Sequence, residues 1–196
     1  MTKDELLTEI KQTLEKVKVE KLAAIAGRSD SKFNDLIDLS FHKDKAIAFR
    51  ASWILETAAN LHPDKFWDSA GFFLDRYTGQ SNNSCRRHFT KILMWMLHKK
   101  TQKIGLGNFD WSPVIESTFE WLTDPECPVA VKVNCLDILL ALKDQEDWIA
   151  EELRAETEFL LKDGSAAMQS RGKKVLRKLT ASSSKRITSH RRLLSE

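Results

Sequence analysis

The side chains best suited to ligating a metal or attacking a substrate are three cysteines and five histidines, and their spacing organises little of either chemistry. Cys85 and His88 can share one face of a helix, and His98 follows ten residues further on. A metal centre needs more ligands than these, and none stands nearby in the chain. The pair is therefore expected to be a packed thiol beside a surface imidazole. Cys127 and Cys135 complete an odd count without CxxC spacing, as expected of reduced thiols in a cytosol. No HExxH, GxSxG, phosphate-cradling glycine loop or dinucleotide fingerprint occurs. No catalytic residue, no metal and no cofactor is expected, and the chemistry left to explain belongs to the cations.

The elements that hold those cations are helices. At 196 residues, with 42% hydrophobic and 30% charged side chains, the chain has the balance of one globular domain. Seven glycines and four prolines leave room for long helices and few tight turns. No apolar run approaches the roughly 18 residues of a membrane span. The stretch MTKDELLTEIKQTLEK is amphipathic and acidic at its start, unlike a signal peptide. A cytoplasmic protein with no membrane partner is expected.

Residues Thr2 to Ala26 carry Leu6, Leu7, Ile10, Leu14, Val17 and Ile25 at helical spacing, closed by GRSDS as a cap and restart. Thereafter a shorter helix, a turn and a longer helix recur four times. The first helices are expected over Phe33–Phe41, Asp64–Tyr77, Trp111–Thr123 and Trp148–Asp163. The second helices are expected over Asp44–Leu61, Ser84–Lys100, Val129–Lys143 and Ala166–Leu179. Second-helix starts lie 40, 45 and 37 residues apart. In NLHPDKFW a proline stops one helix and an aspartate opens the next, and DWSPVIE offers Ser112 as cap, Pro113 at the first turn and Glu116 for a capping box. No segment alternates with period two, so the fold class is all-α. About nine helices follow, with Trp53, Phe89, Trp95 and Phe119 expected in the core.

The stretch TDPECPVAVKVNCLDILLAL sharpens this. An Asp-Pro turn followed by Val-Lys at the head of an apolar helix, here Asp124, Pro125, Val131 and Lys132, resembles the HEAT-repeat pattern. KDKAIAFRASWILETAA is similar at Phe49 and Arg50, NSCRRHFTKILMWM more loosely at Arg86 and Arg87, and AMQSRGKKVLRKL at Arg171. The resemblance covers roughly residues 33 to 179. It implies a right-handed α-α superhelix, a solenoid of about four HEAT-like pairs of the armadillo type, with the second helices lining a concave face. In such repeats the aspartate and the base commonly bond the turn or a neighbouring repeat, which is the role expected of Asp124 and Lys132. The domain is expected to span residues 1–179, followed by a basic, Ser-rich segment over 180–196. That segment reads as a flexible tail or a short docking helix, the tail being favoured.

Charge separates the two helix classes. The expected first helices sum to −8 and the second helices to +11. Such a division creates a field that draws anionic partners. Arg50, Arg87, Lys91, Lys132, Arg171 and Lys174 are the candidates for a basic binding surface. The expected function is non-enzymatic: a binding or scaffold protein for an acidic macromolecule, a protein first and a nucleic acid second. The chain is also similar, in architecture, charge and tryptophan content, to HEAT-like glycosylases that repair alkylated DNA. That resemblance implies a catalytic aspartate, and neither Asp110 beside Trp111 nor Asp147 beside Trp148 matches it by motif.

Overall fold

The computed structural model describes residues 2–12, 15–28, 30–98 and 109–193. Among these are eleven helices and no strand. They are α1 (Lys3–Lys11), α2 (Lys16–Ala26), α3 (Asp30–Leu39), α4 (Lys45–Leu61), α5 (Pro63–Trp67), α6 (Ala70–Tyr77), α7 (Asn83–Met96), α8 (Ser112–Thr123), α9 (Val129–Leu142), α10 (Ile149–Leu161) and α11 (Ala166–Leu193). The chain forms two compact units, Met1–Met96 and Leu97–Glu196.

In the first unit α4 is the central helix, packed against α1, α2, α3, α5 and α7. Thr2 starts α1 with a capping box, its hydroxyl accepting from the Glu5 amide while the Glu5 carboxylate accepts from the Thr2 amide. The single helix expected over Thr2 to Ala26 is two: Gln12 and Glu15 are both extended. Asp44 caps α4 through the amides of Ala46 and Ile47, which holds its carboxyl below the ordinary aspartate value. The helix expected over Asp64–Tyr77 is also two. Asp68 and Ser69 are weak helix formers, and the chain turns there, with the Ser69 amide donating to the Phe66 carbonyl at 2.9 Å.

Aromatic rings fill this core. Phe66 meets Phe33, Phe73 and Trp95 edge-on at 5.5, 5.6 and 5.9 Å between centroids. Phe73 continues to Phe89 at 5.0 Å, and Phe89 to Phe41 at 5.8 Å. Phe33, Phe66, Phe73, Tyr77 and Phe89 are fully buried, while Trp53, Trp95 and Phe119, also expected inside, are only half-buried. Gln80 pins the turn before α7. Its buried amide donates to the Ser40 carbonyl, and its side-chain oxygen accepts from the Asn82 amide.

The second unit is built on α9, which packs against α8, α10 and α11. Val131, Cys135, Leu136, Ile138, Leu139 and Leu142 are all buried, as suits a helix apolar around its circumference. Asp110, rather than Ser112, opens α8: its carboxylate accepts from the Ser112 amide at 3.0 Å, and Pro113 occupies the first turn. Asp124 closes the turn ahead of α9 by accepting from the Glu126 amide at 2.8 Å. The helix expected to end at Leu179 runs on to Leu193, because residues 180–193 hold neither glycine nor proline to stop it. The segment read as a flexible tail is therefore helical to Leu193. Residues 194–196 lie outside the described residues, as do Leu14 and the last two residues of the helix expected over Ser84–Lys100.

Candidate binding surface on the second helices

Two of the longer helices, α4 and α7, pack side by side in the first unit, and α9 packs against α11 in the second. In each unit the earlier helix supplies a half-buried carboxylate and the later one supplies bases. Glu56 of α4 lies 2.5 Å from Nδ1 of His88 and 2.9 Å from Nζ of Lys91. Burial alone would push the Glu56 carboxyl up, but the bonds to His88 and Lys91 hold it below the ordinary glutamate value. Asp137 of α9 is bridged to the Arg171 guanidinium of α11. Here burial outweighs the attraction of Arg171, Lys174 and Lys178, and the Asp137 carboxyl lies above its ordinary value.

The two links occupy equivalent places. His88 and Arg171 are each the sixth residue of their helix, and Lys91 and Lys174 are each the ninth. This repetition joins residues 32 to 35 positions apart, so it is invisible to a reading of single helices.

The six cations singled out from the sequence have different fates. Arg50 donates to the carbonyls of Ile10 and Lys11 at 3.1 and 3.0 Å, capping the end of α1. Lys132 is 9% exposed at the head of α9. Arg171 is committed to Asp137, and Lys91 shares Glu56 with His88. Arg87 and Lys174 are exposed. The structure adds Lys173, Arg177 and Lys178, all exposed on α11 one turn apart as the pairs 173/177 and 174/178. Their i,i+4 spacing in a helix without an acid was the available signal. Extended to Leu193, α11 carries nine Lys and Arg and no Asp or Glu, against a net −3 on α10.

The histidine expected at the surface is instead 8% exposed, with its imidazole against Glu56 and the Phe49 ring. Cys85 is buried, its thiol pushed up by burial and partly restrained by a hydrogen bond with Ser52. Cys127 and Cys135 are likewise buried, and neither forms a disulfide. Among the described residues no group of three or more His, Cys, Asp and Glu side chains could hold a metal ion. No described helix is long and apolar enough to cross a membrane. The Asp110 carboxyl is held below its ordinary value by its bonds to Ser112, which accounts for it as a cap.

Paired helices of recurring length, linked carboxylate to base between successive longer helices, define an α-helical repeat protein. A HEAT repeat domain model matches residues 6–179, and the chain belongs to that family. No curated protein matches it. Among solved structures it is similar to a designed armadillo repeat protein, YIII(Dq)4CqI, at 9% identity and a TM-score of 0.39, over 89% of this chain and 98% of that one.

Proposed function

We propose that this HEAT repeat protein is a non-enzymatic binding module that holds an acidic macromolecule on the cationic second helices of each unit taken by itself, above all on α11 of the second unit. The observation that carries this reading is the charge of α11: nine cations over 28 residues without an acid, four of them exposed between Lys173 and Lys178. Helix repeats serve as binding scaffolds because their stacked faces present side chains at regular intervals. In the second unit Lys173, Lys174, Arg177 and Lys178 make the contact, supported from within by Lys132 and Arg171; in the first unit Arg87 and Lys91 offer a separate one, with Arg50 behind them. The partner is an acidic protein segment. Nucleic acid is the second reading, favoured by the two rows of cations on α11, whose spacing suits a phosphate backbone.

Fluorescence anisotropy with a labelled poly-glutamate peptide and a labelled DNA duplex, at about 50 mM and 200 mM salt, separates the two. The acidic-protein reading expects the peptide to bind and Lys173→Ser, Lys174→Ser, Arg177→Ser and Lys178→Ser together to abolish binding. If duplex binds instead, its affinity falls with salt at a log–log slope near −0.9 per phosphate contact, and the fourfold variant flattens that slope by about 3 to 4 units. Failure of both probes at the lower salt overturns the proposal.

A further inference from the structure

The outer side of α10 has the opposite chemistry to α11. Trp148, just ahead of the helix, is followed at steps of four, three and four residues by Glu152, Ala155 and Phe159. Those steps put all four on one stripe, about 16 Å long, away from the buried Ile149, Leu153 and Thr157. Phe159 is 64% exposed and Trp148 48%, the most exposed aromatic side chains among the described residues. Phe119 of α8 lies tilted against the Trp148 ring at 5.5 Å, widening the apolar ground at that end. Glu151, Glu152 and Glu158 are exposed along the same helix.

Open rings flanked by carboxylates suit arginine and lysine, which can bond the acids and lie over the ring faces. Phe159 already does this locally, with the Lys162 ammonium 5.4 Å from its centroid. Pairing α10 with α10 of a second molecule would bring together the four glutamates of each, and like charge opposes it. The chain itself carries the complementary element. On α11, Lys173 stands one turn before Arg177 and Lys174 one turn before Lys178, with no acid on the helix.

We propose that the Trp148–Phe159 stripe of one molecule docks the cationic face of α11 of a second copy. With a chain net charge of only +3, the local attraction between the +9 of α11 and the −3 of α10 is opposed by little long-range repulsion. The contact is heterologous: each molecule uses one face to give and another to receive, so growth is not bound to stop at two. It borrows α11 from the polyanion reading but rests on the α10 surface. Where poly-glutamate or DNA binds α11, it should compete with self-association.

Sedimentation of the full chain up to about 200 µM tests this. At about 50 mM salt the mean mass should rise with concentration, and at about 500 mM it should return to that of a monomer. Trp148→Ser with Phe159→Ser should weaken association at least tenfold while leaving the circular dichroism unchanged. The decisive arm is a charge swap. Glu151→Lys/Glu152→Lys and Lys173→Glu/Arg177→Glu should each be monomeric alone and associate when mixed. A monomeric wild type at the lower salt, or association indifferent to these substitutions, overturns the proposal. Failure of DNA and poly-glutamate to bind would sink the polyanion reading and leave this one standing.

Discussion

Replacing Arg171 by methionine should expose how much of the apparent binding surface is structural. In the folded chain Arg171 is 35% exposed and bridged to Asp137, which is 17% exposed and shut between α9 and α11. Methionine keeps the apolar stem and removes the charge, leaving a carboxylate without its main partner. A hydrogen bond between charged groups contributes about 1.5–3 kcal/mol, and partial access to water puts this one near the lower end, about 1.5 kcal/mol. For a chain of this length that is a loss of about 3–6 °C in Tm. The effect has a pH signature. Burial already holds Asp137 above its ordinary value of 3.8, and loss of Arg171 raises it further. An acid with a raised folded-state pKa destabilises the fold when ionised, so the variant's deficit is complete near neutral pH. The deficit closes as pH falls through that raised value toward 3.8, where both proteins carry a neutral carboxyl. Urea unfolding followed by circular dichroism at about pH 7 and pH 4 measures it, and a cycle with Asp137→Asn should give a coupling of about 1 kcal/mol. A deficit below about 0.3 kcal/mol at both pH values, with no coupling, would refute the assignment of Arg171 to the interior of the repeat.

Leu139→Ala should destabilise by about 2–5 kcal/mol, since Leu139 is wholly buried in α9, and an unchanged urea midpoint would contradict that burial. Gly27→Ala should cost about 1–3 kcal/mol, because an added Cβ would come within 1.7 Å of the His62 ring; the double substitution with His62→Ala should recover part of the loss in thermal melts. Glu56→Gln tests the first-unit link by pH. The folded Glu56 is held below its ordinary value of 4.5, so its contribution is full above about pH 5 and disappears as pH falls through 4.5 and beyond. Wild type and variant should therefore differ in unfolding free energy at neutral pH and converge in acid, and parallel curves would refute it.

What the sequence determined by itself is what helices decide locally. Side chains recurring every 3.6 residues, the proline-aspartate break in NLHPDKFW, the proline at the head of α8 and the absence of period-two alternation specify paired helices without knowledge of their neighbours. The charge contrast between helix classes was equally legible, because it is a property of composition along each segment. The length of α11 could have been read from the absence of a stop signal, but a run of serines argued for a tail. Tertiary structure alone decided which cations are available to a partner. Arg50 and Arg87 are alike in sequence context, yet one finds the open carbonyls of α1 forty residues earlier and the other faces solvent. His88 was expected at the surface beside a packed thiol, whereas Glu56, 32 residues before it, reaches it across a helix pair. The reason is physical: periodicity fixes which way a side chain points around its own axis, but the charge it meets depends on the register between helices. That register is set by how the buried rings and aliphatic groups interlock, a property of the packed repeat rather than of any one segment.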